Sequence, residues 1–427
     1  MLVLWPLALV LVLVTPKYRG RIKGRLGFGL GKELRKIGPP TTGQRFWVHA
    51  LSVGEVASVV ALVRGLRKSY PEAQIIMSTT TRSGAEHARQ RLGAQVDLFV
   101  AFPLDHILVV RHFLTMIRPD LYVQVETDFW PNFLALTAAR KVPALLVNGR
   151  VSATTFDLYQ RFAGFFRFLF GNFRLLAMQT KGDAARLVDL GLPAEGVVVF
   201  GNLKIDALMP EMAAEKGAGR GALGLPDNKR ILVAGSTHRG EEEELIACYQ
   251  QLRTAYDDIF LVLALRNVER GAEVAALART RGLNPSRRSH QEQAGDQKGR
   301  ADLLIVDTMG ELPQYYREGS LVFVGGSLVA AGGHNPLEAA IFSCPVSFGP
   351  HMEDFADLSH DMLAFGGAVQ VATDAELRQL WHDMLADEEL RQQGGKLAHA
   401  FVISRQGVTN RHLEAIARLL ESASLRK

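Results

Sequence analysis

Cysteine is almost absent from this chain, with Cys248 and Cys344 the two among 427 residues. Neither has metal-ligand or redox spacing, so both read as reduced, structural residues. No HExxH, paired CxxC or Walker lysine motif occurs either, which leaves zinc-hydrolase and P-loop NTPase chemistry without its residues. The nearest approach is Gly27-Phe28-Gly29-Leu30-Gly31-Lys32. It lacks the first glycine at the required spacing, follows no strand, and has Glu33 where a Ser or Thr is needed. A short internal repeat is also lacking. Residues 1–14 (MLVLWPLALVLVLV) contain no charged side chain.

That uncharged segment is followed by an excess of one sign. Lys17, Arg19, Arg21, Lys23, Arg25, Lys32, Arg35 and Lys36 are opposed only by Glu33, so this stretch carries +7 of a formal net +5 and the remainder is −2. The basicity is local, which excludes a nucleic-acid-binding surface extending over the whole protein. A helix of 14 residues covers roughly 21 Å, short of the roughly 30 Å hydrocarbon core. The basic residue and small-residue cleavage site of a secretory signal are missing. Residues 1–36 are therefore expected to form an uncleaved membrane anchor with its basic run on anionic lipid. Spanning and shallow insertion both remain open.

At 427 residues, 48% hydrophobic and 22% charged, the chain has room for two domains with sizeable cores. Apolar strand-like runs at 46–51, 74–79, 96–101, 120–125, 143–148, 174–179 and 197–200 alternate with helical patterns. A second series follows at 230–235, 259–264, 303–306, 321–324, 345–348 and 368–371. Near-continuous apolar strands separated by helices indicate an α/β fold with parallel sheets covered on both faces. The expected organisation is 1–36 anchor and basic segment, 37–206 first domain, 207–229 a Gly- and Pro-bearing linker, and 230–404 second domain. A C-terminal helix, 405–427, has the option of packing back on the first domain. Residues 284–300 read as a loop. Two doubly wound, Rossmann-like domains then face a central cleft at the carboxyl edges of their sheets.

The most informative stretch is Gly325-Gly326-Ser327-Leu328-Val329-Ala330-Ala331-Gly332-Gly333-His334-Asn335-Pro336-Leu337-Glu338. A strand, a glycine turn and a helix start form an element suited to a phosphate or sugar, or a tight turn alone. Three post-strand loops end in a carboxylate: Ser52-Val53-Gly54-Glu55, Thr308-Met309-Gly310-Glu311 and Asn335-Pro336-Leu337-Glu338. Each also fits a capping box, in which the glutamate bonds back to the cap residue. A fourth loop, Ser236-Thr237-His238-Arg239-Gly240-Glu241-Glu242, has acids suited to the helix dipole. With all such loops on one edge, Glu55 would face Ser236, Glu311 and Glu338 across the cleft, placed to remove a proton from an acceptor hydroxyl. Glu126-Thr127-Asp128 and Lys204 complete the edge, the lysine as a cation for a leaving phosphate. His238, His334 and His351 are candidate ligand contacts, whereas His49, inside a strand, reads as a satisfied core residue.

Seven strings in order carry a resemblance: residues 47–55, 126–132, 201–206, 236–242, 307–312, 325–338 and 349–351. Together they make the chain similar, over nearly its whole length, to the 3-deoxy-D-manno-octulosonic acid (Kdo) transferases of lipopolysaccharide synthesis. The resemblance implies a GT-B glycosyltransferase fold, an acceptor domain first and a CMP-sugar domain second, without cofactor or bound metal. It implies inverting transfer of Kdo from CMP-Kdo to a hydroxyl of the lipid A precursor at the cytoplasmic face of the inner membrane. Under it Glu55 is the general base, and Glu126 and Lys204 stabilise the transition state. Arg266, Asn267, Met309, Gly310, Glu311, Asn335, Pro336, Leu337 and Glu338, with Ser236 and His238, fall in CMP-binding segments.

Two strings depart from the family pattern. Leu265-Arg266-Asn267-Val268 stands where the family usually has Pro-Arg-His-Pro, leaving Arg266 and Arg270 as cations. Glu126-Thr127-Asp128-Phe129-Trp130 stands for the usual Glu-Thr-Glu-Leu-Trp. Other readings of the residues are a GT-B glycosyltransferase or epimerase using a UDP-sugar, and a non-catalytic lipid-binding protein of the same fold.

Overall fold

The computed structural model describes residues 22–41, 43–126, 128–206, 219–290 and 301–424. The apolar segment 1–14, the start of the basic run and most of the expected linker (207–218) lie outside the described residues. No helix among the described residues is long and apolar enough to cross a membrane. The chain divides into two compact units, Met1–Ala207 with Gly407–Lys427, and Leu208–Gln406.

In the first unit, the strands are β1 (Arg45–Ala50), β2 (Gln74–Thr79), β3 (Leu98–Ala101), β4 (Leu121–Val125), β5 (Ala144–Gly149), β6 (Leu175–Met178) and β7 (Val197–Val199). They form one parallel sheet in the order β3-β2-β1-β4-β5-β6-β7. Strand side chains alternate between faces. Phe46, Val48 and Ala50 enter one core with Val56, Val59 and Leu62, while Trp47 enters the other with Phe113, Tyr122 and Phe133. His49 shares the Trp47 face, which explains how a histidine comes to lie in a strand buried on both sides.

The helix Val408–Ser424 completes the first unit. Val408 and Ile416 are buried in the core that holds Phe46, and Leu413, Leu419 and Leu420 pack against it. Its start is fixed by Asp206, whose oxygens accept from the Gly407 N–H (3.0 Å) and the Thr409 N–H (2.6 Å). The Arg411 guanidinium donates to the Phe200 carbonyl at 2.7 Å. The segment 201–206, which carries Lys204, is thereby held from both sides.

In the second unit, the strands are β8 (Arg230–Thr237), β9 (Ile259–Leu265), β10 (Pro285–Arg287), β11 (Leu303–Val306), β12 (Gly319–Val324), β13 (Val346–Phe348) and β14 (Val369–Gln370). Their order is β10-β11-β9-β8-β12-β13-β14, again parallel throughout. Cys248 and Cys344 are free and buried. The thirteen expected strands are present, each within two residues of its expected ends. β10 corrects the reading of 284–300 as loop throughout. It has three residues and pairs only with β11 at the sheet edge, so it needs no apolar run.

Because every strand runs the same way, each sheet sends its post-strand loops to one edge. The chain reverses its direction of strand addition between β1 and β4, and again between β8 and β12. Such switch points open a crevice at the carboxyl ends of the strands.

The Asp206 contact yields a stability prediction. Asp206→Ala leaves two N–H groups at the start of Val408–Ser424 without their partner and is expected to lower stability by about 1–2 kcal/mol. A urea midpoint equal to that of the parent chain would show that the C-terminal helix docks without this contact.

Candidate functional site

At the first switch point, Ser52 caps the helix Val53–Ser69, its hydroxyl oxygen accepting the Glu55 N–H at 3.5 Å. The Glu55 carboxylate turns back as a capping glutamate would. It accepts the Leu51 N–H, Oε2 at 2.5 Å, rather than that of Ser52. This one-residue offset carries the carboxylate inward, where it is buried. A single backbone donor does not replace lost water. Burial pushes the Glu55 pKa up from 4.5 to about 8; the charges of Glu126 and Asp128 act in the same direction, and the Leu51 N–H and Lys204 oppose them. A carboxyl poised there is a stronger base than an exposed one.

The neighbours of Glu55 are fixed by long-range contacts. Glu126, directly after β4, has a left-handed backbone (φ 55), as does buried Asn148 near the end of β5 (φ 56). The Asn148 amide donates to Glu126 Oε1 at 2.9 Å, and its Oδ1 accepts the Leu203 N–H at 3.0 Å. One asparagine therefore ties the acid after β4 to the segment bearing Lys204, whose side chain is exposed. Asp128 is held from β1. His49 Nε2 lies 2.9 Å from Asp128 Oδ2, which also accepts the Thr80 hydroxyl at 3.0 Å. The His49 ring stacks on Phe102 at 3.8 Å, and its Nδ1 lies 3.0 Å from Ser78 Oγ. Burial alone would raise the Asp128 pKa, but the His49 contact and the Thr80 hydrogen bond hold it below the usual carboxylate value. His49 is thus a fully buried core residue, as expected, and also the partner of a site carboxylate.

At the second switch point, Ser236 adopts a left-handed backbone (φ 57) and turns the chain toward His238. His238 Nε2 and His334 Nε2 are 2.9 Å apart, the rings stacked at 5.2 Å. One nitrogen donates and the other accepts, so the pair shares one proton across this bond. Burial lowers the His334 pKa to about 4, helped by His238 and Arg266 and opposed by Asp354. Gly326 (φ 69) lies flat against both rings: a Cβ there would stand 3.2–3.3 Å from them.

The glycine turn differs from its expected use. Its N–H groups are occupied by the chain's own Glu241, which is fully buried. Glu241 Oε2 accepts from Gly326 N–H at 2.7 Å and His238 N–H at 2.9 Å; Oε1 accepts from Ser327 N–H at 2.9 Å and Leu328 N–H at 3.0 Å. Beyond the turn, the helix Leu337–Ala340 has Pro336 at its cap, and Asn335 Oδ1 accepts the Leu337 N–H at 3.2 Å. Asn335 thus closes a local turn two residues long in place of a capping box with Glu338.

The other expected residues are spread more widely. Arg266 is exposed, its N–H bonded to the Thr237 carbonyl at 3.0 Å. Asn267 Oδ1 accepts the Glu269 N–H at 3.2 Å. Arg270 is corrected as a phosphate cation, being paired with Glu242 at 2.9 Å and Glu273 at 3.1 Å. Met309 is exposed and Gly310 left-handed (φ 86). Glu311 caps Leu312–Glu318 instead of sitting in its first turn, accepts the Thr308 hydroxyl, and pairs with Arg288 at 2.7 Å. β9 separates its strand, β11, from β8, and its partner Arg288 follows β10, on the far side of β11. His351 pairs with Glu353 at 3.1 Å. Sequence reasoning missed the roles of Asp128, Glu241 and Ser327, although all three lay inside quoted motifs. Key partners lie far off in sequence: His49 is 79 positions from Asp128, the Gly326, Ser327 and Leu328 N–H groups are 85 to 87 from Glu241, and Gly349 is 22 from Ser327.

Residues 20–207 match the model of a family described as 3-deoxy-D-manno-octulosonic-acid transferase. A 3-deoxy-D-manno-octulosonic acid transferase of Haemophilus influenzae is 30% identical over 408 residues, covering 95% of this chain and 93% of the relative. One from Bordetella pertussis is 34% identical over 385 residues, covering 87% and 86%. Among solved structures, a UDP-GlcNAc 2-epimerase of Neisseria meningitidis aligns with a TM-score of 0.63 at 13% identity, covering 88% of this chain and all of that one. This last likeness is one of fold.

Glu55 generates a prediction on stability. The folded chain keeps its carboxyl protonated up to about pH 8, whereas the unfolded chain ionises near 4.5. Its favourable contribution is complete below the lower value and is lost as pH rises through the upper one. Glu55→Gln cannot ionise, so its stability relative to the parent is expected to rise between about pH 5 and about pH 9, by on the order of 1–4 kcal/mol. Urea unfolding at both pH values measures the change; a difference independent of pH would rule it out.

Proposed function

The chain belongs to the 3-deoxy-D-manno-octulosonic acid (Kdo) transferase family and is a glycosyltransferase of lipopolysaccharide synthesis; we propose that it moves Kdo from CMP-Kdo to a hydroxyl of the lipid A precursor, with Glu55 as general base. The observation that carries this assignment is the buried Glu55 carboxyl at a switch point, its pKa raised to about 8 beside Glu126, Asp128 and Lys204.

In the proposed reaction the acceptor O–H gives its proton to the Glu55 carboxylate as the oxygen bonds to the anomeric carbon of Kdo. The bond from that carbon to the CMP phosphate oxygen breaks, and CMP leaves with the electron pair. Direct displacement with one base inverts the anomeric centre, through an oxocarbenium-like state as in glycoside cleavage. Glu126, held by Asn148, and Lys204 supply fixed charges to that state. In the second unit the loops of His238, Arg266 and Asn335 are those assigned to the donor. Imidazole N–H and guanidinium groups there suit a departing phosphate.

Membrane association at the cytoplasmic face is part of the proposal. On the Trp47 face of the first sheet, helices Leu30–Ile37, Ile107–Ile117, Ala153–Arg161 and Ala163–Phe170 bury one side in the core. Their outer surface and adjoining turns expose Phe28, Leu108, Phe162, Phe165 and Phe168. Lys23, Lys32 and Arg35 lie close in sequence to Phe28. Exposed aromatics with cations suit the headgroup region of an anionic bilayer.

Incubation of the full-length chain with CMP-Kdo and a lipid A precursor, followed by mass analysis, is expected to show Kdo addition. Transfer from a UDP-sugar with none from CMP-Kdo would overturn the assignment. Glu55→Gln should lower turnover by about 10²–10⁴-fold, and the parent kcat/KM should rise with pH and level off above about 8. Near-normal turnover by the variant returns Glu55 to a purely structural role.

A further inference from the structure

The glycine turn after β12 is an anion nest whose anion is part of the protein. Successive backbone N–H groups turned toward one point normally receive a phosphate or similar ligand. Here Gly326, Ser327 and Leu328 direct theirs at the two oxygens of Glu241, and the His238 N–H from the loop after β8 supplies a fourth donor. Glu241 has no exposed surface, so a ligand entering this edge finds the nest already filled.

A third loop joins through Ser327, which is fully buried. Its hydroxyl donates to the Val324 carbonyl at 2.5 Å and accepts the Gly349 N–H at 2.8 Å, and its carbonyl accepts the His351 N–H at 2.9 Å. Packing leaves no slack: a Cβ on Gly349 would stand 2.2 Å from the Ser327 carbonyl oxygen, and one on Gly325 would stand 2.6 Å from that of Ser236. One carboxylate and one hydroxyl thus fasten the loops after β8, β12 and β13 together. His238 and His334, brought to 2.9 Å, sit on the first and second of these loops.

We infer that Glu241, with Ser327, is a positioning residue for the donor: it fills the nest of the glycine turn and so aligns the His238–His334 pair that meets the nucleotide. This rests on the reading of the second unit as the CMP-sugar domain. Glu241 touches no substrate in this account. It acts by removing the freedom of three loops before the donor arrives, and small misplacements at such sites carry large costs.

The test uses Glu241→Gln and Ser327→Ala in the full-length chain, with CMP as the calorimetric probe and CMP-Kdo in the assay. Glu241→Gln sets an amide NH2 against two backbone donors. It is expected to weaken CMP binding and raise the donor KM by about 10- to 100-fold, while kcat at saturating donor and the acceptor KM change little. Ser327→Ala keeps the carboxylate and the backbone bond to His351 but removes the hydroxyl's bonds to the Val324 carbonyl and the Gly349 N–H, with an expected loss of roughly fivefold in CMP affinity. A role confined to stability would lower the unfolding midpoint without moving donor KM, measured well below that midpoint. Should Glu241→Gln fail to fold, Ser327→Ala decides alone. A parent chain that does not bind CMP overturns the donor-domain reading. A parent that binds, matched in affinity and KM by every folded variant, overturns the positioning role alone.

Discussion

A buried carboxylate must be given donors or a proton, and the way this chain meets that requirement shapes both of its units. Glu241 has four backbone N–H groups around two oxygens. Asp128 has an imidazole and a hydroxyl on one oxygen. Glu55, also buried, has one N–H, from Leu51. The residue types are nearly the same, but the number of donors separates their chemistry. The under-served carboxyl is the one whose pKa climbs toward 8, and the better-served ones become parts of the scaffold. Basicity at Glu55 is therefore obtained by withholding partners, at a cost in stability that the surrounding core offsets.

Parallel topology decides where these groups collect. A parallel strand leaves its sheet at one edge, and its helix starts there, so backbone donors and capping side chains gather on that edge whether or not a ligand is bound. Both sheets are built around a central pair, β1 with β4 and β8 with β12, and Glu55, Glu126 and Asp128 in the first sheet and the His238–His334 pair in the second lie on the loops of such a pair. Of the left-handed residues, Glu126 directly follows β4 and Ser236 lies near the end of β8. Each represents a small conformational cost accepted to aim a loop across the crevice.

The sequence made the strands legible because strands covered on both faces are near-continuous apolar runs, and thirteen such runs stand out. β10 lacked the signal, since three edge residues, Pro285-Ser286-Arg287, have little surface to bury. Site residues were legible by type and loop and less so by partner. Capping spacing located Glu55, Glu311 and Glu338 at helix starts, yet Glu55 reaches Leu51 and Glu311 reaches Arg288, 23 positions earlier. Local spacing reports which partners are reachable, and the fold then offers better ones. His49 shows the same limit. Its place in an apolar strand correctly predicted burial, but the Asp128 contact spans 79 positions and exists only once β1 and β4 are paired.

The departure at Leu265-Arg266-Asn267-Val268 is clearer against this background. Asn267 turns inward on its own segment, capping the short turn Val268–Arg270, and Arg270 is committed to Glu242 and Glu273. His334, with its pKa near 4, is neutral at physiological pH and offers hydrogen bonding without a full charge. Of the two cations retained around that departure, Arg266 and Arg270, Arg266 is the one with an exposed side chain. Its charge already lowers the His334 pKa, so guanidinium and imidazole act on a common region. On the donor reading, the second unit thus offers a departing phosphate the exposed Arg266, with the neutral His334 ring and its partner His238 beside it.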